Sequence, residues 1–229
     1  MQADEIAYPN GALMVRAFLA RPSTTGRYPA VIVIQEWWGL NDHIKAIAQR
    51  LAIEGFAVLA PDLYSRMGRR VTKDAKEAAG LMGRLRQVDG LSDLTAAVAF
   101  LKQHDNVNPK KLGALGFCMG GTYALLLATH SVDLKASVAF YGQVPPTAEL
   151  RRLHCPVLYV AAGQDNWITR DEVKRLQETL PKVHNPGSVQ AYPNAPHAFF
   201  NDTRPDVYRP AEAQDAWRRT LQFFHQHLS

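Results

Sequence analysis

Residues 112–120 read Leu-Gly-Ala-Leu-Gly-Phe-Cys-Met-Gly, and within them Gly116-Phe117-Cys118-Met119-Gly120 follows the pattern G-x-S-x-G with cysteine in the serine's place. The run 112–115 is short, apolar and strand-like, whereas residues 122–130, Thr-Tyr-Ala-Leu-Leu-Leu-Ala-Thr-His, predict a helix. Cys118 is therefore expected on a sharp strand-to-helix turn that exposes a nucleophile. Such a turn strains the backbone at its apex. Glycines two residues to either side, with Gly121 beyond them, let strand and helix pass without Cβ clashes. The helix start also directs amide N–H groups and the positive end of its dipole at a developing oxyanion, and favours thiolate over thiol. Two other readings compete. A Gly-flanked cysteine can be a buried packing residue, and a Gly-rich turn can cradle a nucleotide phosphate, although G-x-G-x-x-G and the Gly-Lys-Ser/Thr ending are both missing.

The residues downstream decide between them. In an α/β-hydrolase the order along the chain is nucleophile, acid, histidine, with the acid after a late strand and the histidine in a loop before the last helix. Residues 156–162, Pro-Val-Leu-Tyr-Val-Ala-Ala, form a buried-strand run, and Gly163-Gln164-Asp165 places Asp165 at its carboxyl end. The next strand candidate, 188–192, leads into Pro193-Asn194-Ala195-Pro196-His197, where the two prolines are expected to stop sheet and helix alike and leave His197 on a stiff loop. Alone, Asp165 reads as a turn residue and His197 as a surface histidine. In this order, each after the right kind of element, the two read as a pair.

Upstream, residues 30–34, Ala-Val-Ile-Val-Ile, are apolar and β-branched and predict a central strand running into Gln35-Glu36-Trp37-Trp38-Gly39. Hydrolases of this architecture take their second oxyanion N–H from the loop at this place, so the amides of Trp37 and Met119 are the candidate oxyanion donors. Glu36, a carboxylate at the sheet's carboxyl edge beside two tryptophans, is poorly placed for solubility alone; its other reading is a capping or ion-pairing residue.

Taken together, residues 35–39, Pro61-Asp62-Leu63-Tyr64, residues 116–121, Phe140-Tyr141-Gly142, Gly163-Gln164-Asp165 and Pro196-His197 resemble the dienelactone hydrolase (carboxymethylenebutenolidase) family across nearly the whole chain. The resemblance implies that Cys118 is the nucleophile, His197 its base and later acid, Asp165 the residue that orients His197, and Glu36 a carboxylate that exchanges a proton with the thiol. Burial raises a carboxyl pKa toward that of a thiol, which makes such an exchange physically reasonable. Trp38, Tyr141, Phe199 and Asn201 are candidate substrate contacts. Family members that open dienelactone grip its carboxylate with arginines, one of them a few residues after the histidine. Here Asn201 stands at that position with Arg204 further on, and the second arginine is open among Arg66, Arg69, Arg70, Arg84 and Arg86.

Composition agrees with an enzyme of this size. The 229 residues are 47% hydrophobic, enough for one α/β domain with a large core, and they contain no repeat, low-complexity tract or linker. The longest irregular stretches are expected at 21–29 and 194–210. No signal-peptide pattern and no apolar run of about 18 residues is visible, so a soluble, cytoplasmic protein is expected, away from membranes. Two cysteines are too few for a disulfide scaffold, and Cys155 reads as inert packing. His225 and His227 share a helix but not a face, so neither metal nor cofactor is expected. The net charge of +5 has its densest cluster at Arg66, Arg69, Arg70 and Lys73, without interleaved aromatics; a solvated face that attracts anionic esters is the reading, not nucleic-acid binding. The expected partner is a small-molecule ester or lactone, and the expected state a monomer or small homo-oligomer.

Strands are predicted at 13–19, 30–34, 56–60, 112–115, 136–141, 157–161 and 188–192. Helices are predicted at 42–54, closed by Gly55, at 91–103, from a Thr169–Glu172 capping box, and at 211–227 with Trp217, Leu221 and Phe224 on one stripe. The alternation implies an α/β fold: a mostly parallel, doubly wound sheet of the α/β-hydrolase kind, with sites at the strands' carboxyl ends. Two function classes remain: a cysteine hydrolase of small esters, lactones or thioesters, and a redox-sensing or ligand-binding thiol protein on the same fold.

Overall fold

The computed structural model describes residues 1–68 and 70–229; Arg69 lies outside the described residues. Eight strands are hydrogen-bonded in the order β1-β2-β4-β3-β5-β6-β7-β8, and the chain divides into two compact units, Met1–Gly113 and Ala114–Ser229.

The first unit opens with a hairpin of β1 (Gln2–Asn10) and β2 (Leu13–Arg21), closed by a two-residue turn with Gly11 at φ 61. A left-handed residue at this position matches the hairpin to the twist of its strands. β2 runs antiparallel to β4 (Ala57–Pro61), and β4 parallel to β3 (Tyr28–Ile34). Residues 30–34 and all of β4 are buried, the continuous apolar pattern expected where helices cover both faces of a parallel sheet. Burial of each Val or Ile there contributes about 1.5–3 kcal/mol. Helix α1 (Asp42–Ile53) packs on β2, β3 and β4. It starts at Asn41, whose side chain accepts from the Ile44 amide, and ends in a Schellman motif: Gly55 at φ 96 donates to Ala52 and Phe56 donates to Leu51. Helices α2 (Ala75–Arg84) and α3 (Gln87–Gln103) follow, α3 packing on β1, β3 and β4.

The second unit begins within β5 (Val107–Phe117) and continues through α4 (Met119–His130), β6 (Leu134–Phe140), the short α5 (Thr147–Leu150), β7 (Val157–Gln164), α6 (Arg170–Thr179), β8 (Ser188–Pro196) and α7 (Pro210–Leu228). β6, β7 and β8 are mutually parallel, so their carboxyl ends share an edge. α4 packs on β6, and α7 on β6 and β7. The capping box at α6 is present, with the Thr169 hydroxyl accepting from the Glu172 amide and the Glu172 carboxylate accepting from the Thr169 amide.

Three expectations need correction. β1 was not anticipated, nor was α2, which lies in a stretch where no element was predicted. The prolines at 193 and 196 do not stop the sheet: β8 runs through both to Pro196. β8 is an edge strand, where one side of the backbone has no neighbour and a missing N–H is tolerated, and its pairing with β7 shifts register between Ala162 and Gln164. The irregular stretch before α7 accordingly starts at His197.

Candidate active site

Cys118 follows the last residue of β5 and is the N-cap of α4, with φ 55 and ψ −119. Its amide donates to the Phe140 carbonyl at 3.0 Å, which ties the turn to the end of β6. The glycines of the motif are sterically required. A Cβ at Gly116 would lie 1.9 Å from the Gly120 carbonyl oxygen, and one at Gly121 would lie 2.4 Å from that of Phe140. Met119 is the first residue of α4, where amides point out of the helix rather than into it.

Next to the elbow, Tyr141 sits at φ 38 and is fully buried. Gly142 packs so closely on the start of α4 that a Cβ would lie 2.2 Å from the Thr122 amide. The Gln143 amide donates to the Thr122 hydroxyl, and the buried Tyr159 hydroxyl donates to the Gly142 carbonyl at 2.6 Å. Burial, with the Asp165 charge as a smaller cause, holds the Tyr159 phenol well above its ordinary pKa, so it remains a donor.

Asp165 directly follows β7, and its two oxygens face different tasks. Oδ1 accepts from the amides of Trp167 and Ile168 at 2.8 and 2.9 Å, while Oδ2 lies 2.7 Å from His197 Nδ1. A carboxylate can only accept, so Nδ1 carries the proton and the Nε2 lone pair is left to act as a base. His197 directly follows β8, and Ala198 beside it has φ 62. Among the described residues, the non-glycine positive-φ positions are Cys118, Tyr141 and Ala198. Backbone strain of about 1–3 kcal/mol per residue is thus concentrated where these three strands end.

The remaining candidates divide by burial. Phe199 is fully buried against Phe140, Tyr141 and Tyr192. Asn201 is also buried, and its carboxamide oxygen accepts from the Thr203 amide and hydroxyl, so it shapes the turn after His197. Arg204 pairs with Asp206 at 2.8 Å.

In the first unit, Gln35 and Glu36 are buried, and Trp37 and Trp38 are half-buried and meet edge to face at 4.9 Å. Three contacts set this loop. The buried Tyr64 hydroxyl donates to the Trp37 carbonyl at 2.9 Å, the Thr72 amide donates to the Trp38 carbonyl at 3.0 Å, and Gly39, at φ 93, is so close to the Arg70 carbonyl that a Cβ would lie 2.1 Å from it. Arg66 is held by Asp93, whose carboxylate is fully buried, and Arg86 by Asp89. Cys155 is fully buried and its thiol is pushed up to about 12 by that burial. Among the described residues no group of three or more His, Cys, Asp or Glu could hold a metal, and no helix is long and apolar enough to cross a membrane.

Trp167 is a residue the sequence reading passed over. The residue is 39% exposed, and its indole meets the His197 ring edge to face at 5.4 Å. Asp-Asn-Trp-Ile matches no motif, and only the short distance from Asp165 could have drawn notice.

A cysteine on a strand-to-helix elbow, an acid after β7 and a histidine after β8, at the carboxyl ends of parallel strands, define the α/β-hydrolase class. The chain belongs to the dienelactone hydrolase family, whose family model matches residues 15–228, and it is accordingly a hydrolase of lactone or ester substrates. It is 36% identical to the protein named usf of Aquifex pyrophilus, over 98% of both chains. It is also 36% identical to a Bradyrhizobium protein named "Probable 2-oxo-3-(5-oxofuran-2-ylidene)propanoate lactonase", over 93% of this chain and 89% of that one. Among solved structures it superposes with a TM-score of 0.89 on a dienelactone hydrolase-like promiscuous phosphotriesterase from metagenomic libraries, at 26% identity over 100% of this chain and 99% of the other.

Proposed function

We propose that this chain cleaves small carboxylic esters or lactones through Cys118, His197 and Asp165, by way of an acyl-thioester. One observation carries the reading: a cysteine stands at the apex of the elbow, in a left-handed backbone conformation that the flanking glycines make possible. In the first half-reaction the proton of the Cys118 thiol passes to His197 Nε2, the thiolate attacks the substrate carbonyl carbon, the C–S bond forms, and the carbonyl oxygen becomes an oxyanion received by the amides of Met119 and Trp37. The tetrahedral intermediate collapses, the C–O bond breaks, and the departing alkoxide takes a proton from His197 Nε2. Water then attacks the thioester with His197 as base, the C–S bond breaks, and the leaving thiolate takes the proton back from His197 Nε2. Asp165 keeps the proton of the neutral imidazole on Nδ1 and stabilises the imidazolium. Glu36 exchanges a proton with the thiol as substrate enters. Each of these steps needs only side chains, backbone amides and water, so no cofactor or metal is invoked.

Trp38, half-buried on the oxyanion loop, is the substrate wall in this reading, and Tyr141, fully buried, backs His197. Phe199 and Asn201 act behind them, holding Tyr141 and the turn after His197. With Arg66 and Arg86 engaged by carboxylates, Arg70 and Arg84 remain, among the described residues, as arginines to meet an anionic substrate. We read residues 1–229 as one catalytic domain, a monomer or small homo-oligomer acting on a small molecule. The two free thiols fit a reducing, cytoplasmic setting.

A panel of aryl esters, lactones and dienelactone tests the reading, with rapid quenching and peptide mass spectrometry. Turnover accompanied by an acyl adduct on the peptide carrying Cys118 is the expected result. Turnover with acylation elsewhere, or none at all, would overturn it.

A further inference from the structure

The His197 imidazole is flanked by two aromatic rings. Tyr141 lies 4.9 Å away on a fully buried side chain, and Trp167 lies 5.4 Å away on a partly exposed one. His197 itself keeps 23% of its side chain exposed, against 2% for Asp165. The acid is therefore sealed while the base is open to solvent, and Trp167 stands beside that base with an exposed ring. A large apolar side chain left 39% exposed forgoes part of the free energy that burial would give. Trp167 is also tied to the acid by a different part of itself, since its amide donates to Asp165 Oδ1 at 2.8 Å. One residue thus fixes Asp165 with its backbone and borders His197 with its side chain.

We propose that Trp167 is a positioning residue for His197, keeping the imidazole on Asp165 as it gains and loses its proton, and an exposed apolar wall facing the substrate's non-reacting end. This rests on His197 being the base of the reaction. An imidazole held by one hydrogen bond at Nδ1 can still swing about its Cβ–Cγ bond, and two rings at an angle to it block that motion. An edge-to-face aromatic pair contributes roughly 0.5–1.5 kcal/mol beyond area burial, which corresponds to about a 2- to 12-fold change in rate. The chemistry of the wall favours an aryl or alkyl group over a charged one on the substrate part that reaches it.

The arrangement makes the test clean, because the backbone hydrogen bond to Asp165 survives any side-chain change at 167. Trp167→Ala and Trp167→Phe are compared with wild type by kcat and KM on an aryl and a short alkyl ester, with a thermal melt of each. Expected are a roughly 3- to 10-fold fall in kcat for Trp167→Ala on both esters, a further rise in KM for the aryl ester, recovery of most of kcat in Trp167→Phe, and melting temperatures within about 2 °C. An unchanged kcat, whether or not KM rises, would overturn the positioning role, and so would a kcat loss that Phe does not repair. An equal KM change for both esters would overturn the substrate wall. His197→Ala in the same assay separates this from the underlying reading: if that variant kept wild-type turnover, His197 would not be the base.

Discussion

Asp165 divides its carboxylate between backbone and imidazole: Oδ1 is held by the amides of Trp167 and Ile168, and Oδ2 faces His197 Nδ1 at 2.7 Å. With one oxygen anchored by two backbone donors, the other cannot rotate away from the imidazole. Oδ1 makes Asp165 a turn residue, and Oδ2 lies against the imidazole, as the proposed acid requires.

That division predicts the outcome of substitution. Asp165→Asn keeps an oxygen for the two amides, so the fold should persist, but it presents an amide N–H2 to Nδ1 and favours the wrong tautomer. We expect kcat to fall about 10- to 100-fold with KM little changed, and His197→Ala to cost more, about 10²- to 10⁴-fold. Steady-state kinetics on an aryl ester checks both. Equal turnover in all three proteins would remove the pair from the mechanism.

Glu36 is buried in the first unit beside the two tryptophans. If it is the proton partner of Cys118, Glu36→Gln keeps size and hydrogen bonding but removes the acceptor, so acylation should slow and the pH profile of Cys118 alkylation should shift, with melting unchanged. Iodoacetamide labelling against pH, run beside a thermal melt, reads both. An unchanged labelling profile with a clearly lowered melting temperature would make Glu36 structural.

Much of the site could be read before the fold, because the chemistry sits on short motifs whose steric demands are written in glycines: the Cβ clashes at Gly116 and Gly121 are what the pattern anticipates. Elements without such demands were harder to read. β1 is mostly exposed, carries Pro9 and buries only Tyr8, so it has neither a long apolar run nor a clean alternation, and its best signal was the Asn10-Gly11 turn. α2 buries only Ala78 and Leu81 and contains two glycines, and its start is marked by Asp74, whose side chain accepts from the Glu77 amide. β8 runs on through Pro193 because it is an edge strand, and edge position is a property of topology that no local window contains. The same limit hid Trp167, whose role depends on a histidine 30 residues away.

Burial holds the Cys155 thiol at about 12, so at pH 8 native protein should take up iodoacetamide at Cys118 alone, with Cys155 reacting only after unfolding. Cys155→Ala should retain activity. Rapid native labelling of Cys155, or a Cys118–Cys155 disulfide on mild oxidation, would favour the redox-sensing alternative, since a sensor usually has a resolving thiol.

β8 and α7 are joined by Asp215, which accepts from Tyr192, Arg219 and Arg218. The hydrogen bond from Arg219, then that from Tyr192, holds its carboxyl at about 2, below its ordinary value. A depressed folded-state pKa stabilises the native state above the unfolded value and ceases to do so as pH falls through about 2. The pairs are partly exposed, so the contribution is about 0.5–1 kcal/mol. Asp215→Asn should melt about 1–4 °C lower at neutral pH, and the gap should close between pH 4 and pH 2. A gap independent of pH in thermal melts would exclude the ionised carboxylate as its source.

The central claim is that Cys118 is the nucleophile, and the most direct measurement is the rate of aryl-ester hydrolysis by Cys118→Ala. The substitution removes one sulfur atom from a buried turn and leaves the His197–Asp165 pair in place. Turnover at the uncatalysed background, in a protein whose circular dichroism and melting temperature match wild type, is the predicted result; hydrolysis persisting near the wild-type rate would contradict the account.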